Sequence, residues 1–227
     1  MTKKSELIEI NPDRPSSGTV IWLHGLGASG DDFVPVAREL SALNLRFVFP
    51  HAPFQPVTIN GGYVMRAWYD IISPAVDAHA DEAGMKKAVD FVHRLITEEE
   101  HTGTSSEKIV LAGFSQGAVI ALLTGLTYPK KLAGILALSG YLPQPDQTIH
   151  HATSINQQTP IFLGHGTNDN IVPYQLSEKV FRILQETNYP VELHSYPMAH
   201  SVCMNEISDI EEWLKKILSP KIIRKTD

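Results

Sequence analysis

One cysteine, Cys203, is all the chain has. A lone thiol excludes any intrachain disulfide and fits a reducing compartment. With no local group to activate it, Cys203 reads as a small buried hydrophobe. Cationic clusters are missing as well. Nineteen Lys and Arg stand against 25 Asp and Glu, a net charge of −6. The basic run "KIIRKTD" is short and terminal. This balance excludes nucleic acid and anionic membrane surfaces as partners. No apolar stretch approaches the roughly 18 residues of a membrane helix, so no integral membrane association is expected. The opening "MTKKSELIEINPD" carries lysines but no apolar h-region, and does not read as a signal peptide. Repeats, low-complexity tracts and dividing linkers are also missing. The expectation is a soluble cytoplasmic protein: one domain over residues 1–227, ending in a frayed tail at 219–227.

What is present is an ordinary globular composition: 227 residues, 43% hydrophobic and 19% charged, enough to bury a substantial core. Strand-like and helix-like segments alternate. "TVIWL", "RFVFP", "KIVLAGF", "LAGILALSG", "PIFLGHG" and "PVELHSY" are short apolar or β-branched runs. Between them lie "DDFVPVARELSAL", a segment from Asp81 to Glu100 with Met85, Val89, Val92 and Ile96 at helical spacing, "QGAVIALLTGL", "PYQLSEKVFRILQET" and "EISDIEEWLKKIL". Such alternation predicts βαβ units: an α/β fold with a mainly parallel central sheet flanked by helices. "SELIEIN" adds an antiparallel edge strand. Residues 52–74, "APFQPVTINGGYVMRAWYDIISP", break the rhythm and read as an excursion over a functional site.

The segment "VLAGFSQGAVIALL" holds G-x-S-x-G as Gly113, Ser115 and Gly117, between an apolar strand and an apolar helix. A strand that turns into a helix without a proper loop forces its central residue into a strained conformation. Its neighbours two before and two after come close, and a Cβ on either would clash. The turn lifts the serine hydroxyl out of the sheet at a helix N-terminus. The pattern suits a nucleophile; a Gly-rich turn with a capping serine is the competing reading.

A serine hydroxyl needs a base, and the base an orienting acid. In α/β-hydrolases the order along the chain is serine, acid, histidine. His200, in "YPMAHSVCMNEI" past a strand and before the last helix, occupies the position of a base. Asp169, in "GHGTNDNIVP" after another strand, is the candidate acid; its competing reading is the N-cap of the following helix. His165 in the same loop reads as structural, pinning the turn.

"HGLGASG" spells G-x-G-x-x-G with Gly25, Gly27 and Gly30 after a strand, which by itself suggests dinucleotide binding. The second strand, "RFVFP", ends without the acidic residue a ribose requires. A serine hydrolase needs a loop here too, because its oxyanion hole takes one N–H from the residue after the nucleophile and one from a loop after an early strand. Those would be the backbones of Gln116 and Leu26.

Six segments in order, "VIWLHGLGASGDDF", "MRAWYDI", "GFSQGAVIAL", "LALSGYLP", "GHGTNDNIVPY" and "YPMAHSVCMNEISDIEEWL", closely resemble the phospholipase/carboxylesterase family. The resemblance runs from about Gly18 to Leu218. It implies an α/β-hydrolase fold without a separate cap domain, Ser115 as nucleophile, His200 as base, Asp169 as acid, and Leu26 and Gln116 as oxyanion donors. It implies no metal or cofactor. It further implies hydrolysis of carboxylic esters, with acyl thioesters and lysophospholipids among the substrates of some members, and homodimers for several. S-acylated protein joins small ester or lipid-like acyl substrates as an expected partner. The loop of Trp68, Tyr69 and Asp70 lies near the acyl site in relatives; the usual residue at position 69 is Phe, and Asp is common where this chain has Ala28. Leu26, Phe33, Val64, Met65, Trp68, Leu142 and Val172 are the expected apolar lining, with ordinary core as the alternative. Arg66 reads as a structural ion pair before an anion-binding group. The rival functions are another acyl-bond hydrolase (dienelactone hydrolase or peptidase), a non-catalytic α/β-hydrolase-like binding module, and a dinucleotide-dependent oxidoreductase.

Overall fold

The computed structural model describes residues 7–11, 15–73 and 81–219. Pro74 at the end of the expected excursion, and all but Ser219 of the expected frayed tail, lie outside these residues. Seven strands form one sheet: β1 (Leu7–Ile10), β2 (Thr19–Leu23), β3 (Arg46–Pro50), β6 (Ile109–Phe114), β7 (Gly134–Leu138), β8 (Ile161–Gly166) and β9 (Val191–Tyr196). Their spatial order is β1-β3-β2-β6-β7-β8-β9. Every neighbouring pair is parallel except β1, which runs antiparallel on the edge against β3. The mainly parallel sheet and the antiparallel edge strand are as the alternation predicts.

The central strands are buried on both faces, which explains their continuous apolar runs. Side chains of a strand alternate, so Val20 and Trp22 enter one core cluster while Ile21 and Leu23 enter the other. The first cluster packs under α1 (Val34–Glu39) and α6 (Met204–Leu218); the second lies under α2 (Glu82–His101) and α3 (Gln116–Thr127). A third joins α3 and α5 (Tyr174–Glu186) to β7 and β8 through Leu122, Ile135, Leu163 and Leu184. The start of α2 is secured by Asp81, whose carboxylate accepts the Gly84 N–H at 2.9 Å.

Two elements are not named in the sequence reading. Within the 52–74 excursion, residues 54–66 fold into a separate antiparallel hairpin, β4 (Phe54–Val57) with β5 (Tyr63–Arg66). Residues 145–151 form a short helix, α4 (Pro145–His151). Its only buried residue is Thr148, so it offers no apolar periodicity to read. Among the described residues no helix is long and apolar enough to cross a membrane.

Helix α6 carries a carboxyl group inward. Beside Ile210, Trp213 and Leu214, Glu206 is fully buried, and burial pushes its carboxyl up to about 8. An unfolded glutamate titrates near about 4.3. Between those values the folded chain holds a proton that the unfolded chain releases. Stability is therefore greatest below the lower value and falls as pH rises through the upper one. Glu206→Gln is expected to stabilise the protein at about pH 8 by a few kcal/mol, at about 1.4 kcal/mol per pKa unit, and to do little at about pH 4. Denaturant melts of both proteins across this range check it; parallel pH profiles would contradict it.

Candidate active site

The segments that carry chemistry all leave the carboxyl ends of parallel strands. Ser115 is the single residue between β6 and α3. Its backbone sits at φ 54° and ψ −118°, a region costly for any residue with a side chain. The turn holds because its neighbours over-determine it. The Ser115 N–H donates to the Leu138 carbonyl at 2.8 Å, and its carbonyl accepts from Ala118 N–H and Val119 N–H. A Cβ on residue 113 would lie 2.2 Å from the Gly117 oxygen, and one on residue 117 would lie 2.3 Å from the Leu23 oxygen. Neither backbone atom can yield, so both glycines are required.

Asp169 and His200 leave adjacent strands β8 and β9. The pairing Gly166↔Tyr196 continues past the strands through Thr167 N–H to Tyr196 O and Asn168 N–H to Met198 O. This brings Asp169 Oδ2 to 2.6 Å from His200 Nδ1. Asp169 Oδ1 accepts the Ile171 and Val172 N–H groups, each at 2.8 Å. Burial acts to raise the Asp169 pKa, but the His200 hydrogen bond and the two backbone donors outweigh it and hold the carboxyl below its ordinary value. The helix-capping alternative does not apply, because the cap of α5 is Pro173. The His200 ring packs on Phe114 with centroids 4.7 Å apart, next to Ser115 in the chain.

The loop after β2 closes the other side. Gly27 has φ +73°, its N–H donates to Arg66 O at 2.8 Å, and a Cβ on Gly30 would lie 2.6 Å from Phe49 O. A Cβ on Gly25 would lie 3.4 Å from the Ser115 Cβ. Gly27 thus answers a left-handed backbone conformation and Gly30 a close packing contact. Among the described residues, neither Leu26 N–H nor Gln116 N–H donates to another protein group, and both residues line the cavity that holds Ser115.

Two side-chain roles around this loop are not given by the sequence reading, which names Gln116 only for its backbone N–H. His24 is fully buried, and burial lowers its pKa to about 4, so its ring is neutral. Nε2 accepts the Ala52 N–H at 3.0 Å, which leaves Nδ1–H to donate to Gly25 O at 2.7 Å. The Gln116 side chain clamps the foot of the hairpin. Its Oε1 accepts Trp68 N–H at 2.8 Å and its Nε2 donates to Tyr69 O at 2.7 Å. A buried amide beside a serine is the signal available in sequence, but its partners lie 47 and 48 residues away.

Ser115, Gln116, His200 and Leu26 share one cavity of about 830 Å³. Phe33 and Val172 line it as expected, with Val36, Tyr69, Ile71 and Met85. Ile59, Ile72 and Ile171 stand on its rim, 41%, 45% and 71% exposed. Four expected lining residues are not among those that line it. Trp68 turns the other way, buried with its Nε1–H on His24 O at 2.8 Å. Val64 is exposed on the hairpin, and Met65 lies against Gly27. Leu142 belongs to the core under α3 and α5. Arg66 forms no ion pair among the described residues; it donates to Ala52 O and covers the Phe54 ring at 4.5 Å. Cys203 is half-buried at the cap of α6, not a core residue. The Tyr69 hydroxyl meets that of Tyr141 at 3.1 Å, and burial raises its pKa well above the ordinary value.

The chain has relatives among known proteins. The phospholipase/carboxylesterase family matches residues 5–218. Acyl-protein thioesterase 1 of Yarrowia lipolytica is 41% identical over 209 residues, covering 88% of this chain and 92% of that protein. Carboxylesterase SOBER1 of Arabidopsis thaliana is 36% identical over 205 residues, covering 88% and 90%. The crystal structure of SOBER1 superposes with a TM-score of 0.84 over 88% of this chain and 99% of that one, at 37% identity.

Proposed function

Because the chain belongs to the phospholipase/carboxylesterase family, we propose that it is a serine hydrolase that cleaves carboxylic esters and acyl thioesters through an acyl-enzyme on Ser115. One observation carries the reading. A histidine held by a buried carboxylate at 2.6 Å lines the same cavity as a serine kept in a strained, glycine-flanked turn.

The Ser115 oxygen attacks the substrate carbonyl while His200 Nε2 takes its proton. Asp169 keeps the Nδ1–H tautomer and stabilises the imidazolium. The N–H groups of Leu26 and Gln116 receive the developing oxyanion, each worth about 3 kcal/mol in the transition state. His200 returns the proton to the departing alcohol or thiol as the tetrahedral intermediate collapses. Water, deprotonated by His200, then attacks the acyl-enzyme and frees the acid and the serine. The apolar wall of Phe33, Val36, Ile71 and Val172 supports an acyl chain as the bound group, in a volume ordinary for small-molecule sites. The same reading takes S-acylated protein as a substrate class, a cytoplasmic site of action and a homodimeric assembly, which sedimentation checks.

A panel of p-nitrophenyl esters from acetyl to palmitoyl, with lysophospholipid, S-acylated peptide and a plain peptide, tests the reading. Hydrolysis of short-to-medium esters, no peptide cleavage and labelling by a fluorophosphonate are expected. An unlabelled, inert protein would be the binding module instead, and faster peptide cleavage would make it a peptidase.

A further inference from the structure

Asp169 faces a second imidazole. His165, the penultimate residue of β8, is fully buried and does not line the cavity. Its Nε2 lies 2.8 Å from Val172 O and 3.3 Å from Asp169 Oδ2, the oxygen that also meets His200. Its Nδ1 lies 2.6 Å from Ser177 Oγ in α5. The Val172 carbonyl can only accept, so Nε2 carries a hydrogen. Burial lowers the basicity of this ring and keeps it neutral. Nδ1 is therefore an acceptor, and the Ser177 hydroxyl donates to it; Gly140 O, at 3.2 Å from Ser177 Oγ, is the longer contact. The Nε2–H donates to Val172 O, and Asp169 Oδ2 lies beside it at 3.3 Å.

The consequence is a carboxylate gripped on every side. Oδ1 takes two backbone N–H groups, and Oδ2 faces one buried imidazole from within at 3.3 Å and one partly buried imidazole from the cavity at 2.6 Å. Val172 is held at both ends, by its N–H on Asp169 and its carbonyl on His165. We propose that His165 is a positioning residue: held upright by Ser177, it aims Asp169 Oδ2 at His200 and fixes the 169–172 loop around it. This rests on the reading of Ser115, His200 and Asp169 given above.

Two substitutions at His165 separate aim from mere packing. Phe fills the space and has no donor. Gln places an amide N–H near the position of Nε2 and can still reach Val172 O and Asp169 Oδ2. His165→Phe is expected to fold, to keep the KM of a p-nitrophenyl ester, and to lose kcat on the order of 10²-fold, the usual consequence of a small misplacement in a catalytic group. His165→Gln is expected to recover most of that loss. The downfield proton resonance shared by His200 Nδ1 and Asp169 Oδ2 should weaken in the Phe variant and return in the Gln variant. That readout needs no turnover, so it stands even if Ser115→Ala proves active and the hydrolase reading fails. A Phe variant with wild-type kcat and an unchanged resonance overturns the role. So do Phe and Gln variants that lose activity equally, in proportion to their folded fraction. If the Phe variant does not fold, Ser177→Ala decides. It leaves Nδ1 without its donor and should lower kcat several-fold with the resonance weakened; unchanged kcat and resonance would overturn the proposal.

Discussion

Ser115→Ala is expected to abolish ester hydrolysis and leave the fold intact. The fall in kcat should be on the order of 10⁵- to 10⁶-fold, the scale seen when a triad serine is removed and only the oxyanion donors and substrate binding remain. The expectation of an intact fold follows from how the turn is held. Its hydrogen bonds to Leu138 O and from Ala118 N–H and Val119 N–H are all backbone interactions, and alanine keeps them. The strain at φ 54° belongs to the Cβ, which alanine also keeps. Circular dichroism and thermal melts should match the wild type, while fluorophosphonate labelling disappears. Substantial residual activity in a folded variant would remove Ser115 from the mechanism.

Asp169→Asn should follow as the second largest effect, a fall in kcat of about 10⁴-fold. An asparagine can keep the Oδ1 bonds from Ile171 and Val172 N–H, so the loop is expected to stay in place. Its amide then faces His200 Nδ1 where the carboxylate oxygen lay at 2.6 Å. An amide N–H donates to Nδ1 and drives the ring proton to Nε2, the nitrogen that must take the serine proton. The defect is thus one of tautomer, without loss of the residue's position. Steady-state kinetics on a p-nitrophenyl ester should show kcat and kcat/KM falling together, with KM nearly unchanged. A variant within tenfold of wild type would mean that Asp169 only secures the loop.

The serine turn is legible in the sequence. Gly113 is required by Gly117 backbone atoms within the same local segment, which the motif itself shows; that Gly117 also meets Leu23 O on the next strand only the fold shows. The helices with an apolar face were legible for the same reason, since burial on one side imposes a period of about 3.6. Helix α4 was not, because it buries only Thr148. The hairpin β4–β5 was not, because Phe54, Tyr63 and Val64 are exposed and the first strand contains Pro56, a residue that argues against a strand in sequence.

The cavity wall shows the limit most clearly. Trp68 and Tyr69 are neighbours in the chain, yet Tyr69 lines the cavity and Trp68 is bound to His24 behind it. The Gln116 clamp, the neutral His24 and the His165–Asp169 contact depend in the same way on partners from other elements. From the sequence alone came the mainly parallel α/β architecture and the serine turn, because each is written in local backbone demands or in the period of burial; the proposed order of nucleophile, acid and base came from the resemblance to a known family. Which side chains meet across loops, and which way two adjacent residues face, was decided only by tertiary packing, because those contacts join segments whose local preferences carry no trace of one another.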